Sequence, residues 1–175
     1  MDRCKVVLVD EHDNPTGQMD KLEAHEKGVL HRAFSVFIFN SKGEMLIQKR
    51  AANKYHGAHL WTNACCSHPQ WGEEVIASAQ ERLFYEMGIN CALEHAFSFI
   101  YNSPVENNLI EHEYDHVLIG YTDVHPNPDP SEVQNYYWMK LQPLKEIMLH
   151  YPEKFTTWFK IAYNRVINHI GHLQE

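Results

Sequence analysis

The chain has 175 residues, a length that suits one domain with its own apolar core. Its 44% hydrophobic and 22% charged residues are the proportions of a globular protein that needs no disulfides to fold. A net charge of −8 argues against a general nucleic-acid or anionic-membrane surface, but not against a local basic pocket for a phosphorylated ligand.

No apolar run reaches the roughly 18 residues that a membrane span needs. Met1–Asp10 is too charged, and Val6–Val9 too short, for a signal peptide, so a cytoplasmic protein is expected. Cys4, Cys65, Cys66 and Cys91 lack CxxC spacing, so neither a zinc knuckle nor a redox pair is implied.

Val6–Val9 reads as a short buried strand, and Glu11–Gly17 as a turn. Lys21–Val29 is polar and reads as a loop. Ala33–Phe39 is a strong strand, and Asn40–Gly43 turns the chain into Met45–Arg50 to complete a hairpin. Residues 51–60 form a loop. Glu73–Met87 is predicted helical, with Ile76, Ala79, Leu83 and Met87 on one face and Gly88 as its stop. Ala96–Tyr101, Ile110–Tyr121 and Tyr136–Met139 are predicted strands. Pro143–Leu149 is a short helix, and Pro152 opens a last, amphipathic one. With no repeat and no linker, residues 1–175 read as a single mixed α/β domain.

Several side chains invite chemistry. Alternation along a strand puts Glu111 and Glu113 on one face, with Asp115 beside them. Such a row is either a solvated face or a cation site. His25, His31 and His68 could add imidazole nitrogen, although each taken singly suits packing or surface as well. Two residues before His68 stands Cys66, and before it Cys65; an extended chain lets only one of the two face a site. A thiol beside a metal or an imidazolium can have a lowered pKa. Lys21, Arg50, Lys54 and Arg82 are possible anion binders or simply solvated cations.

In this order, the segments resemble the type I isopentenyl-diphosphate isomerases of the Nudix superfamily. The likeness rests on Trp61-Thr62-Asn63-Ala64-Cys65-Cys66-Ser67-His68-Pro69, on Glu111-His112-Glu113 with Tyr101 upstream, and on His25…His31 followed by Ala33-Phe34-Ser35. The Nudix box is degraded. Ser67, Glu73, Leu83, Glu86, Gly88 and Ile89 align with it, but Glu81-Arg82 replaces Arg-Glu and Tyr85 replaces a glutamate. Those lost carboxylates disfavour the alternative reading, a Nudix diphosphohydrolase acting on a nucleoside diphosphate derivative. A non-catalytic, metal-stabilised binding domain is a third reading, which a ligand set with two carboxylates fits poorly.

The resemblance implies a layered α/β/α domain with a mixed, mainly antiparallel sheet. It implies that His25, His31, His68, Glu111 and Glu113 ligate one divalent ion (Mn²⁺, Mg²⁺ or Zn²⁺). Glu86 would bind a Mg²⁺ that accompanies the substrate diphosphate. Cys66 takes the catalytic cysteine position, opposed by Glu113 with Tyr101. Lys21, Arg50, Lys54 and Arg82 match diphosphate contacts, and Trp158 an aromatic of the hydrocarbon pocket, with Trp61 a second ring. The expected partner is a small-molecule diphosphate, with no nucleic acid and no membrane, and the expected assembly a monomer or weak homodimer.

Overall fold

A computed structural model describes residues 3–172. Along the chain run β1 (Lys5–Val9), β2 (Pro15–Asp20), α1 (Lys21–Lys27), β3 (His31–Phe39), β4 (Glu44–Arg50), β5 (Trp61–Thr62) and β6 (Cys65–Ser67). Then come α2 (Val75–Met87), β7 (Leu93–Pro104), β8 (Ile110–Tyr121), β9 (Val133–Lys140), α3 (Leu141–His150) and α4 (Thr157–His172).

The apolar run of β3 makes it the central strand, buried on both faces. One of its edges pairs in parallel with β8 along its whole length, from His31↔Glu113 to Phe39↔Tyr121. Three strands share its other edge. Leu8 of β1 lies opposite His31, β6 pairs over Phe34–Val36, and Met45 of β4 lies opposite Phe39. The expected hairpin of β3 and β4 is therefore joined at one register position only. From there β4 departs to pair with β5 and β9. Every strand pairing except β3–β8 is antiparallel, as the resemblance implied.

Helices cover both faces. Phe34, Val36, Ile38 and Leu118 pack with Ala79, Leu83 and Met87 of α2. On the opposite face Phe37, Phe39, Val117 and Ile119 pack with α3 and α4 through Leu144, Phe159, Ala162 and Val166. The layers are α/β/α.

Several boundaries differ from expectation. Residues 21–27 are a helix, not a loop. Asp20 accepts from the backbone N–H of Leu22 and Glu23 at 2.9 and 3.2 Å, and Gly28 ends the turn at φ +64°. The turn before it is shorter than predicted, because the Asp10 carboxylate accepts from His12 and Asn14 N–H, and β2 begins at Pro15. Glu73 lies outside α2, and Ile76 is 38% exposed, at the rim of the buried face. The last helix starts at Thr157; Pro152 opens a separate 3-10 turn.

Gly120 marks the tightest packing of β8. A Cβ there would come within 2.8 Å of Leu93 Cδ2 and 2.9 Å of both Ala92 O and Ile38 Cδ1. Gly120→Ala is expected to cost about 1–3 kcal/mol in urea unfolding. Gly17→Ala, where a Cβ meets nothing within 4 Å, should stay within about 0.5 kcal/mol of the wild type. Equal losses for the two would contradict this packing.

Candidate active site

Strand alternation turns Glu111, Glu113 and Asp115 inward from β8, where they are 2%, 7% and 0% exposed. Three carboxylates in one row at this depth cannot all be charged without partners. Burial, and then the charge of Glu113, pushes Asp115 well above the usual carboxylate range; Ser35 Oγ donates to it at 2.7 Å. Glu113 goes the other way. Burial opposes its charge, but the imidazoles of His31 and His68 hold it well below the usual range.

The imidazoles arrive from three elements. His25 is, with Ala24, one of the two buried residues of α1, His31 opens β3 in register with Glu113, and His68 follows β6 directly. The ligating atoms of His25, His31, His68 and Glu113 lie within 4.8 Å of one another. Backbone carbonyls orient two of the rings: His25 Nδ1 donates to Lys21 O at 2.6 Å, and His31 Nδ1 to Val29 O at 2.8 Å. Each Nε2 is then left to a proton or a metal ion, 3.4 Å from Glu111 Oε2 for His25 and 3.5 Å from Glu113 Oε1 for His31. Both Nε2 atoms and Glu111 Oε2 are buried without a hydrogen bond. Burial pushes His68 down to about 4, which keeps it neutral, the form that ligates metals. Inward lone pairs and carboxylates fit a divalent cation.

Glu111 is set slightly apart. It groups with His25 and with His56, whose Nε2 lies 2.8 Å from Glu111 Oε1. His56 was not singled out in the sequence. It lies in a loop with no motif around it, and only its burial at 7% exposure marks it.

The same cavity is lined by Cys66, Glu113 and Trp158. Tyr101, opposite Glu113 across β7 and β8, donates to its Oε2 at 2.7 Å. Cys66 lies in register with Ser35, on the face that carries Glu113, and Arg50 Nη1 approaches its Sγ at 3.7 Å. Burial pushes the Cys66 thiol up to about 12 and outweighs the Arg50 charge. Cys65 points to the other face, among Ala64, Ala79 and Leu83.

Lys21, Arg50, Lys54 and Arg82 line one end of the cavity, with Glu86. Burial, and then the charges of Lys54, Arg50 and Arg82, lowers the pKa of Lys21. Glu132 pairs with Lys54 and, at 3.4 Å, with Arg82, whereas among the described residues Lys21 and Arg50 have no carboxylate within salt-bridge distance, so the four together leave positive charge suited to an anion. Glu86 is fixed by Arg82 at 2.7 Å and by Gln48 Nε2 at 3.1 Å. Trp158 stands beneath the Arg50 guanidinium, 5.3 Å from its ring centre. Trp61 packs on Tyr137 instead, 5.4 Å between ring centres. Of the other box positions, Glu73 binds Arg3 at 3.0 Å and Tyr85 lies under the Arg82 guanidinium at 4.8 Å.

Sequence and fold comparisons show the family. A NUDIX domain model matches residues 29–159, and the chain belongs to the Nudix superfamily. It is 52% identical to isopentenyl-diphosphate Delta-isomerase 2 of Photorhabdus laumondii, over 91% of this chain and 90% of that one. It is 48% identical to isopentenyl-diphosphate Delta-isomerase of Pectobacterium atrosepticum, over 95% and 93%. Within the superfamily, the chain is a member of the isopentenyl-diphosphate Delta-isomerase family. A crystal structure of a Deinococcus radiodurans protein shares the fold, with a TM-score of 0.68, 20% identity and coverage of 83% of this chain and 89% of that one. Among the described residues no helix is long and apolar enough to cross a membrane.

Metal binding can be read from stability. Restoring a divalent ion to chelator-treated protein, at a hundredfold excess over Kd, should add about 2.7 kcal/mol to unfolding. Glu113→Gln should lose most of that increment while remaining folded. An undiminished increment would remove Glu113 from the metal centre.

Proposed function

We infer that the chain interconverts isopentenyl and dimethylallyl diphosphate by protonation and deprotonation, a step that supplies isoprenoid precursors. The observation that carries this reading is the meeting in one cavity of a cysteine, basic side chains and Glu113, which Tyr101 holds from behind. The relatives' shared activity supports it over the hydrolase alternative. So do Arg82 and Tyr85, which stand where the Nudix box has glutamates and here stack on each other at 4.8 Å.

The reaction adds a proton to one alkene carbon and removes another from a neighbouring carbon. An alkene is a weak base, so the intervening tertiary cation must be shielded from water. Two proton-transfer groups must therefore face each other across the flat substrate. Cys66 serves one face and Glu113 the other. Tyr101 holds Glu113 Oε2 and can relay its proton. The ring of Trp158 lies against the hydrocarbon and favours developing positive charge by about 0.5–2 kcal/mol. That is small against the barrier, so positioning and dryness contribute more. Lys21, Arg50, Lys54 and Arg82 bind the diphosphate and so fix the reacting carbons.

His25, His31, His68, Glu111 and Glu113 would hold one divalent ion (Mn²⁺, Mg²⁺ or Zn²⁺), and Glu86 a Mg²⁺ that arrives with the diphosphate. When bound, the first ion keeps Glu113 ionised and oriented, and the second neutralises phosphate charge.

Two measurements test the reading. In D₂O with isopentenyl diphosphate and Mg²⁺, NMR should show deuterium-labelled dimethylallyl diphosphate and no released phosphate. Phosphate release without isomer would instead favour hydrolysis. Cys66→Ala should lower kcat by at least about 10²-fold, the lower range for a positioned proton-transfer group. Cys65→Ala should keep near wild-type turnover. The reverse pattern would exchange the two cysteines.

A further inference from the structure

Glu111 is the one proposed ligand that does not share the common point of the other four. One of its oxygens is engaged: Oε1 lies 2.8 Å from His56 Nε2. The other, Oε2, is buried, has no hydrogen bond, and lies 3.4 Å from His25 Nε2. A carboxylate with one oxygen on a donor and the other bare is arranged for single-oxygen ligation.

We propose that His56 is a positioning residue of the metal centre, donating Nε2–H to Glu111 so that the free oxygen is held beside His25. The proposal rests on the reading of the His/Glu cluster as a metal centre.

Rigid donors are made by fixing their backbone, and the loop around His56 is fixed from two sides. Arg50 Nη2 donates to His56 O at 3.0 Å, and Arg50 Nε donates to Gly57 O at 3.1 Å. From the turn between β7 and β8, Asn107 Nδ2 donates to Tyr55 O at 2.7 Å, and Glu106 accepts from Gly57 N–H at 3.2 Å. The ring itself is enclosed by three others. Their centres lie 4.7 Å away for Tyr55, 5.4 Å for His25 and 6.1 Å for Trp158.

Facing a carboxylate, Nε2 is the nitrogen that carries the proton. A buried Nε2 spent in this way is not free to ligate. His56 thus acts on the metal through Glu111. Hydrogen-bond partners of this kind typically change metal affinity 10–100-fold. Because Arg50 grips the same loop, the donor is built into the wall that also presents the diphosphate cations.

The test uses the chelator-treated full chain titrated with Co²⁺, followed by visible absorption and calorimetry. Wild type should take up one tightly bound ion. His56→Ala should bind it about 10–100-fold more weakly. His56→Gln keeps an N–H donor for Glu111. It should recover most of the affinity and leave the cobalt absorption bands unchanged. It also keeps the test decisive if the alanine variant does not fold. Wild-type affinity in His56→Ala would overturn the proposal while leaving the metal centre intact. A glutamine variant as weak as alanine, with shifted bands, would overturn it by making His56 a direct ligand. Absence of tight binding in the wild type would bring down the centre itself, and the proposal with it.

Discussion

Three carboxylates buried along one face of one strand set the terms for the rest of this molecule. Glu111, Glu113 and Asp115 lie where the strand would otherwise supply apolar residues to the core, as Val117 and Ile119 do two steps further on. Each escapes mutual repulsion by a different route. Burial raises the pKa of Asp115, which accepts from Ser35 Oγ. Glu113 is surrounded by His31, His68 and Tyr101. Glu111 lies between His25 and His56. A raised pKa and hydrogen-bond donors are the compensations for buried carboxylates here, within a few residues of one another.

The sheet makes room for this by coming apart. β3 and β4 are not zipped as a regular hairpin. They touch at Phe39↔Met45, and the short β6 is laid into the opening. That insertion puts Cys66 on the inner face, two strands away from Glu113 across β3. Its three residues are enough to send neighbouring cysteines to opposite sides, one into the core beside α2 and one into the cavity.

Much of this was legible in the sequence where periodicity or a long motif carried it. The strands β3 and β8, the alternation of Glu111 and Glu113, and the segment Trp61–Pro69 could be read from residues alone. What escaped notice was held by tertiary contacts. Helix α1 has too few apolar residues for a 3.6-residue period to show, and its signals were the capping Asp20 and the terminal Gly28. His56 belongs to a loop whose shape depends on Arg50, Glu106 and Asn107, partners from distant parts of the chain. The burial that raises the Cys66 pKa was out of reach for a similar reason, because it depends on packing that sequence does not display.

Arg3 gathers the remains of the Nudix box. It donates to Glu73, to Ser78 Oγ, to the carbonyl of His68 and to Glu81. Through these bonds Glu73 is a strut that ties the N-terminal segment to the loop behind His68. A carboxylate placed at position 85 would meet the Arg82 guanidinium, while Glu73 is held by Arg3. A single substitution there would add one more ion pair to this corner of the fold rather than assemble a set of free carboxylates.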